Sequence, residues 1–182
     1  MREQFKQYII SLYHNIPLEV YEGLLSIFCL GVVSLVVWKD IKTGLRYSTV
    51  LLLIEYTLLL FCSTVIFRIA GEARRYDFHP FWSYRAIEEG RVELIPENIM
   101  NVVVFVPVGL LLSCVSQRLR WWIVLLIGFG ISVSIEALQY FFHKGFSEFD
   151  DVFHNTLGCV IGIMIVAIIK GLWLLQKRYL MN

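Results

Sequence analysis

Apolar residues are gathered into blocks along this chain. Gly23–Trp38 carries no charge, and Tyr47–Phe67 is interrupted only by Glu55. Asn98–Gln117 is uncharged, Trp121–Phe142 contains only Glu136, and Asn155–Gln176 contains only Lys170. A helix needs roughly 20 residues to cross about 30 Å of hydrocarbon. The last four blocks have that length, and the first approaches it if extended back to Tyr21. The pattern predicts an all-α polytopic membrane bundle of five transmembrane helices, with its termini on opposite sides. One domain, 1–182, accounts for the chain, and no internal repeat interrupts it.

Between the blocks the pattern changes. Phe5, Tyr8, Ile9, Leu12 and Tyr13 recur near helical spacing, which predicts an amphipathic interfacial helix within 1–22 that ends before Pro17. The longest connection, 68–97, holds the aromatic run Phe78-His-Pro-Phe-Trp-Ser-Tyr84. A loop that long in a compact protein is usually functional or disordered, and its aromatics argue for order. We expect an outer loop or lid with Trp82 and Tyr84 at the headgroup level. Lys39, Lys42, Arg46, Arg118, Arg120, Lys177 and Arg178 crowd the short connections and tail of one side. Basic residues favour the cytoplasm, so the expected orientation is N-terminus outside and C-terminus cytoplasmic.

Composition agrees with this reading. The chain is 58% hydrophobic and 17% charged, against about 45–50% and about 25% in soluble domains. A formal charge of +1 with no basic run gives no reason to expect a nucleic-acid partner. Cys29, Cys62, Cys114 and Cys159 all sit inside apolar blocks without CxxC spacing, as packing residues do.

The polar residues inside or beside the spans carry the chemistry, because each is costly in hydrocarbon. Threading antiparallel helices puts Asn98, Asn101, Glu136, Gln139 and Asn155 at one membrane face, whichever way the bundle points. Arg68, the aromatic loop, His143, Glu148, Asp150, Asp151 and His154 belong to the same face. Glu136, Gln139 and His143 follow i, i+3, i+7, and Asp151, Asn155, Gly158 and Gly162 follow i, i+4, i+7, i+11, one stripe each. Glu136 lies roughly 9 Å below the rim at 1.5 Å per residue. A carboxylate there needs a cation or strong donors, and Arg68 is the expected partner. Glu55 stands apart, about 18 Å from that face, and is expected to be protonated or paired internally.

Two functions fit such a rim pocket. In the first, Arg68 with Arg74 or Arg75 holds the phosphate of a lipid-linked glycan or other anionic envelope ligand. The aromatic loop, with Trp82 and Tyr84, covers the headgroup; Asn98, Asn101, Gln139, His143 and Asn155 line the site, and membrane lipid surrounds it. In the second, Glu136 is the general base of a transferase or hydrolase acting on a membrane-bound phosphate ester. Asp151 and His154 then orient it or hold a divalent cation. No HExxH, nucleophile elbow or CxxC is present to support the enzyme.

The residues Asn101-x3-Phe105-x-Pro107-x-Gly109, Glu136-x2-Gln139 and Asp151-x3-Asn155-x2-Gly158-x3-Gly162 together resemble the VanZ-like family of bacterial membrane proteins. Arg68 ahead of Pro80-Phe81-Trp82-Ser83-Tyr84 adds to the likeness, which covers roughly 50–162. The resemblance implies a multi-pass protein of the bacterial cytoplasmic membrane. Its founding member is associated with resistance to the glycopeptide teicoplanin, which acts outside the membrane on cell-wall precursors. Family members often carry an arginine six residues after the glutamine, where this chain has Gly145. If that arginine binds an anion, Lys144 stands in as a point charge, or a loop arginine such as Arg74 or Arg75 supplies the contact.

Overall fold

The computed structural model describes residues 16–37, 41–115 and 120–180, together with Lys6. Six helices make up most of it: α1 (Leu18–Val37), α2 (Ile41–Phe61), α3 (Trp82–Glu88), α4 (Leu94–Val115), α5 (Trp121–Phe142) and α6 (Phe149–Leu180). Among the described residues four helical stretches are long and apolar enough to cross a membrane: Thr43–Ile66, Leu94–Val115, Trp121–Phe142 and Phe149–Leu180. The protein is therefore a helical membrane protein. The first apolar block forms α1, which packs along α2. Most of the N-terminal interfacial helix expected within 1–22 lies outside the described residues.

Close packing is concentrated between α4 and α6. A Cβ built on Gly158 would strike the Val102 carbonyl, one on Gly109 the Cys159 backbone, and one on Gly162 the Val106 carbonyl. Lipid gives helices no hydrophobic reason to associate, so contact depends on backbones that can approach closely. Leu60, Val65, Phe105, Val108, Leu112, Val124 and Ile135 fill the core around this seam. Pro107 sits inside α4 without ending it. Tyr56 donates to the Val104 carbonyl at 2.7 Å on that turn, which the proline loosens. Glu55 is buried, and its Oε1 has no partner among the described residues.

At one end of the bundle the connections are stitched together. α2 finishes in a π-helical turn, Cys62–Ile66. α5 ends at His143, a left-handed cap (φ 56°), after which Gly145 at φ 96° turns the chain. Two short strands, β1 (Tyr76–Asp77) and β2 (Ser147–Glu148), pair in parallel, Tyr76 with Ser147 and Asp77 with Glu148. Lys144 Nζ donates to the Ile66 carbonyl at 2.6 Å, closing the end of the π turn. α6 begins at Phe149, so Asp150 and Asp151 are helical, not loop residues as the apolar pattern suggested. Acids in a first turn favour the positive helix end, which lets the helix start ahead of its apolar block.

Candidate functional site

Two adjoining chambers open at this stitched end. The inner one, about 50 Å³, is lined by Arg68, Asn101, Glu136, Gln139, Asp151 and Asn155, with Ser63 and Thr64 on the π turn. The outer one, about 340 Å³, is lined by Arg68, Arg75, Arg91, Trp82, Glu97, Asn98, Glu148 and Asp151, among others. A third hollow of about 310 Å³ adds His143, again beside Arg68, Arg75 and Gly145. Arg68 is the side chain common to all three.

The inner chamber is held by hydrogen bonds between elements. Glu136, 5% exposed, accepts the Glu148 N–H on Oε2 at 2.9 Å. Ser147 Oγ donates to the Glu136 carbonyl at 3.0 Å. Gln139 gives its amide N–H to Thr64 O at 3.2 Å, and Asn155 Nδ2 reaches Ser132 Oγ at 2.9 Å. Asn101 Nδ2 donates to Asp151 Oδ1 at 2.6 Å. The expected pairing of Arg68 with Glu136 is not made. Both border the chamber, but among the described residues the one ion pair within 4.0 Å is Asp77 with His79. The backbone N–H of Glu148 serves Glu136 instead.

α3 is clamped over the outer chamber. Asp150, 0% exposed, accepts from Phe81 N–H at 2.6 Å, Ser83 N–H at 2.9 Å and Ser83 Oγ at 2.6 Å. Phe81 itself is left-handed at φ 60°, so the carboxylate holds a strained cap at the start of α3. Asn98 Nδ2 completes the knot on Ser83 Oγ at 3.1 Å. Trp82 Nε1 donates to Glu148 Oε2 at 2.8 Å, and Arg91 stacks on the same indole at 5.1 Å. Arg75 lies over Phe146 at 5.5 Å.

Of the residues expected at the site, Arg68, Asn98, Asn101, Glu136, Gln139, Asp151 and Asn155 meet at the two chambers, with Arg75 and Trp82 on the outer wall. The others are turned elsewhere. Tyr84 Oη and His154 Nε2 lie 2.8 Å apart in an aromatic group with Phe81 and Phe153. His154 therefore does not reach Glu136. Asp150 and His154 are one turn apart on the stripe of α6 that meets α3, while Asp151 and Asn155 occupy the next stripe, about 100° round. Among the described residues no three His, Cys, Asp or Glu side chains form a metal-binding group, and His154 is turned to Tyr84, on a different stripe from Asp151. Arg74 donates to His143 Nε2 at 3.1 Å and stacks on Tyr140 at 5.1 Å.

Lys144, occupied at Ile66, does not replace the missing arginine either. The space beside Gly145 holds the Arg68 guanidinium: a Cβ there would collide with Cζ and come within 2.6 Å of Nε. Glu148, expected at this face, lines the outer chamber, and Arg91 and Glu97 join it without having been expected there. Glu97 sits four residues before Asn101 and so shares its face, a signal that was readable. Arg91 lies in an aperiodic loop and gave none.

Burial, then the negative charge of Asp151, pushes the Glu148 carboxyl from its usual 4.5 up to about 8, despite the opposing pull of the Trp82 N–H. Glu97 and Asp150 press in the same direction. A carboxyl raised on folding binds more protons in the native state, so stability declines as pH rises from about 4.5 to about 8. A melting series should fall across that window, and Glu148→Gln should flatten the slope. An unchanged slope in the variant would assign the titration to another group.

A family model described as VanZ/LLP1 matches residues 47–170 of the chain. No curated protein matches it, and no solved structure does.

Proposed function

We propose a function from a firm premise: the chain belongs to the VanZ/LLP1 family. On our reading it binds an anionic envelope ligand, the phosphate-bearing headgroup of a lipid-linked precursor, in the outer chamber. One observation carries this. Arg68, Arg75 and Arg91 line a single cavity of about 340 Å³, and among the described residues none has a carboxylate oxygen within 4.0 Å. Arginine presents a planar fork of donors suited to phosphate, and stacking of Arg75 and Arg91 on aromatic rings fixes their planes in advance. With the Glu148 carboxyl pushed up to about 8 by burial and by Asp151, the chamber carries less negative charge at neutral pH than a full set of ionised acids would give it. The exposed apolar flanks of the bundle would take the lipid tail. We place the chamber at the outer face of a bacterial cytoplasmic membrane, where cell-wall precursors and teicoplanin meet, so the reading allows a role in glycopeptide resistance. A transferase or hydrolase at the same place is less well served, since His154 faces Tyr84 and not Glu136.

Mass spectrometry of lipids retained by the purified protein tests this. Wild type should carry a phosphate-bearing lipid, and Arg68→Gln should bind it about 10- to 100-fold more weakly, the value of one charge-assisted contact. Equal retention by wild type and variant, or no anionic lipid in either, would refute the reading.

A further inference from the structure

The inner chamber has an unbalanced set of hydrogen-bonding atoms. Gln139 and Asn155 are 4% and 5% exposed, and Gln139 Oε1 and Asn155 Oδ1 have no partner among the described residues. Flipping the Gln139 amide does not cure this. Its nitrogen already donates to the Thr64 carbonyl, and an oxygen turned there would face another oxygen. Asn101 is oriented in the same way, by the carboxylate of Asp151. Asn155 meets a hydroxyl that can donate or accept, so one of its two amide atoms is left unpaired in either orientation. A buried acceptor without a donor costs about 1–3 kcal/mol, and the Gln139 oxygen with the unpaired end of Asn155 calls for an occupant.

We propose that the inner chamber is a site for a hard divalent cation, with Glu136, Asp151, Gln139 and Asn155 supplying oxygen. The donor set is two carboxylates and two amide carbonyls, without thiol or imidazole, which suits Mg²⁺, Ca²⁺ or Mn²⁺ and not zinc or copper. The volume of about 50 Å³ has room for an ion that keeps a few waters, at roughly 10–15 Å³ for each occupant. Two negative charges match a divalent ion, and neither carboxylate has a basic side chain within 4.0 Å among the described residues. Arg68 and Asp151 border both chambers, but the ion is proposed on carboxylate and amide oxygens and the phosphate on arginine nitrogens, so the proposal stands whether or not an anionic lipid binds.

The experiment is a titration of the detergent-purified full chain with Mn²⁺, following loss of the free-ion signal by electron paramagnetic resonance. Thermal melts with Mg²⁺ and Ca²⁺ run alongside, since a ligand that binds only the native state raises its melting point. We expect one saturable site per chain. Glu136→Gln and Asp151→Asn should each weaken it at least about tenfold, the loss that even supporting residues cause at metal sites. Absence of saturable binding to the wild type would mean that the chamber holds water only, and would overturn the proposal without recourse to any variant. Saturable binding that both variants retain unchanged would place the ion elsewhere and overturn it equally.

Discussion

Asp150→Ala should lower the melting temperature by about 10 °C and expose the 68–93 connection to protease. The carboxylate is fully buried and accepts three hydrogen bonds, from Phe81 N–H, Ser83 N–H and Ser83 Oγ. Bonds to a charged acceptor contribute about 1.5–3 kcal/mol each, and removing the acceptor strands buried donors. We take the net loss as about 3–5 kcal/mol, with about 2–4 °C per kcal/mol for a chain of this size. Asp150→Asn keeps one acceptor but turns an N–H towards donors, so it should fall between wild type and alanine. Asp150 is outside the chambers, so its loss acts on them only by releasing α3, which carries Trp82. A melting point within a degree of wild type, with no new cleavage, would show that α3 is held by something else.

Gly158→Leu should prevent α4 and α6 from closing, and Gly158→Ala should already cost about 2–3 kcal/mol. The added Cβ meets the Val102 carbonyl and lies 3.0 Å from Phe105 Cβ. A backbone carbonyl cannot swing aside as a side chain can, so the helices must separate along the whole seam. Separation would pull Asn155 and Asp151 on α6 away from Asn101 on α4 and spoil the inner chamber. Gly130→Ala is the control, because nothing among the described residues lies within 4 Å of its Cβ position. It should be neutral or slightly stabilising through better helix propensity. Thermal melts of the three variants decide the matter; a Gly158→Leu protein as stable as Gly130→Ala would remove the seam from the account.

Much of the fold was legible from hydrophobic blocks alone. α5 spans Trp121–Phe142 as its block does, because Arg120 and the polar stretch from His143 bound it sharply. α6 begins six residues before its block, since acids at a helix start are compatible with the helix although they break apolarity. The two-residue strands and α3 left no periodic trace, being too short to show one. Convergence of Arg68, Asn101, Glu136 and Asp151 followed from antiparallel threading and needed no contact information. Separation of Asp150 from Asp151 did not: both sit at a rim rich in partners, and only the packing of α3 shows which stripe faces which. Arg68 in the space beside Gly145 was equally hidden, since nothing in linear order relates the two positions.

The central claim is that Arg68, Asn98 and Glu148 border one chamber reached from the outer side of the membrane. Single cysteines at these positions, in a chain with Cys29, Cys62, Cys114 and Cys159 replaced, can be labelled with a membrane-impermeant maleimide in intact cells and in inverted vesicles. The account predicts that all three react in intact cells and are shielded in inverted vesicles. Reaction of the three from opposite sides, or of all three only in inverted vesicles, would contradict it.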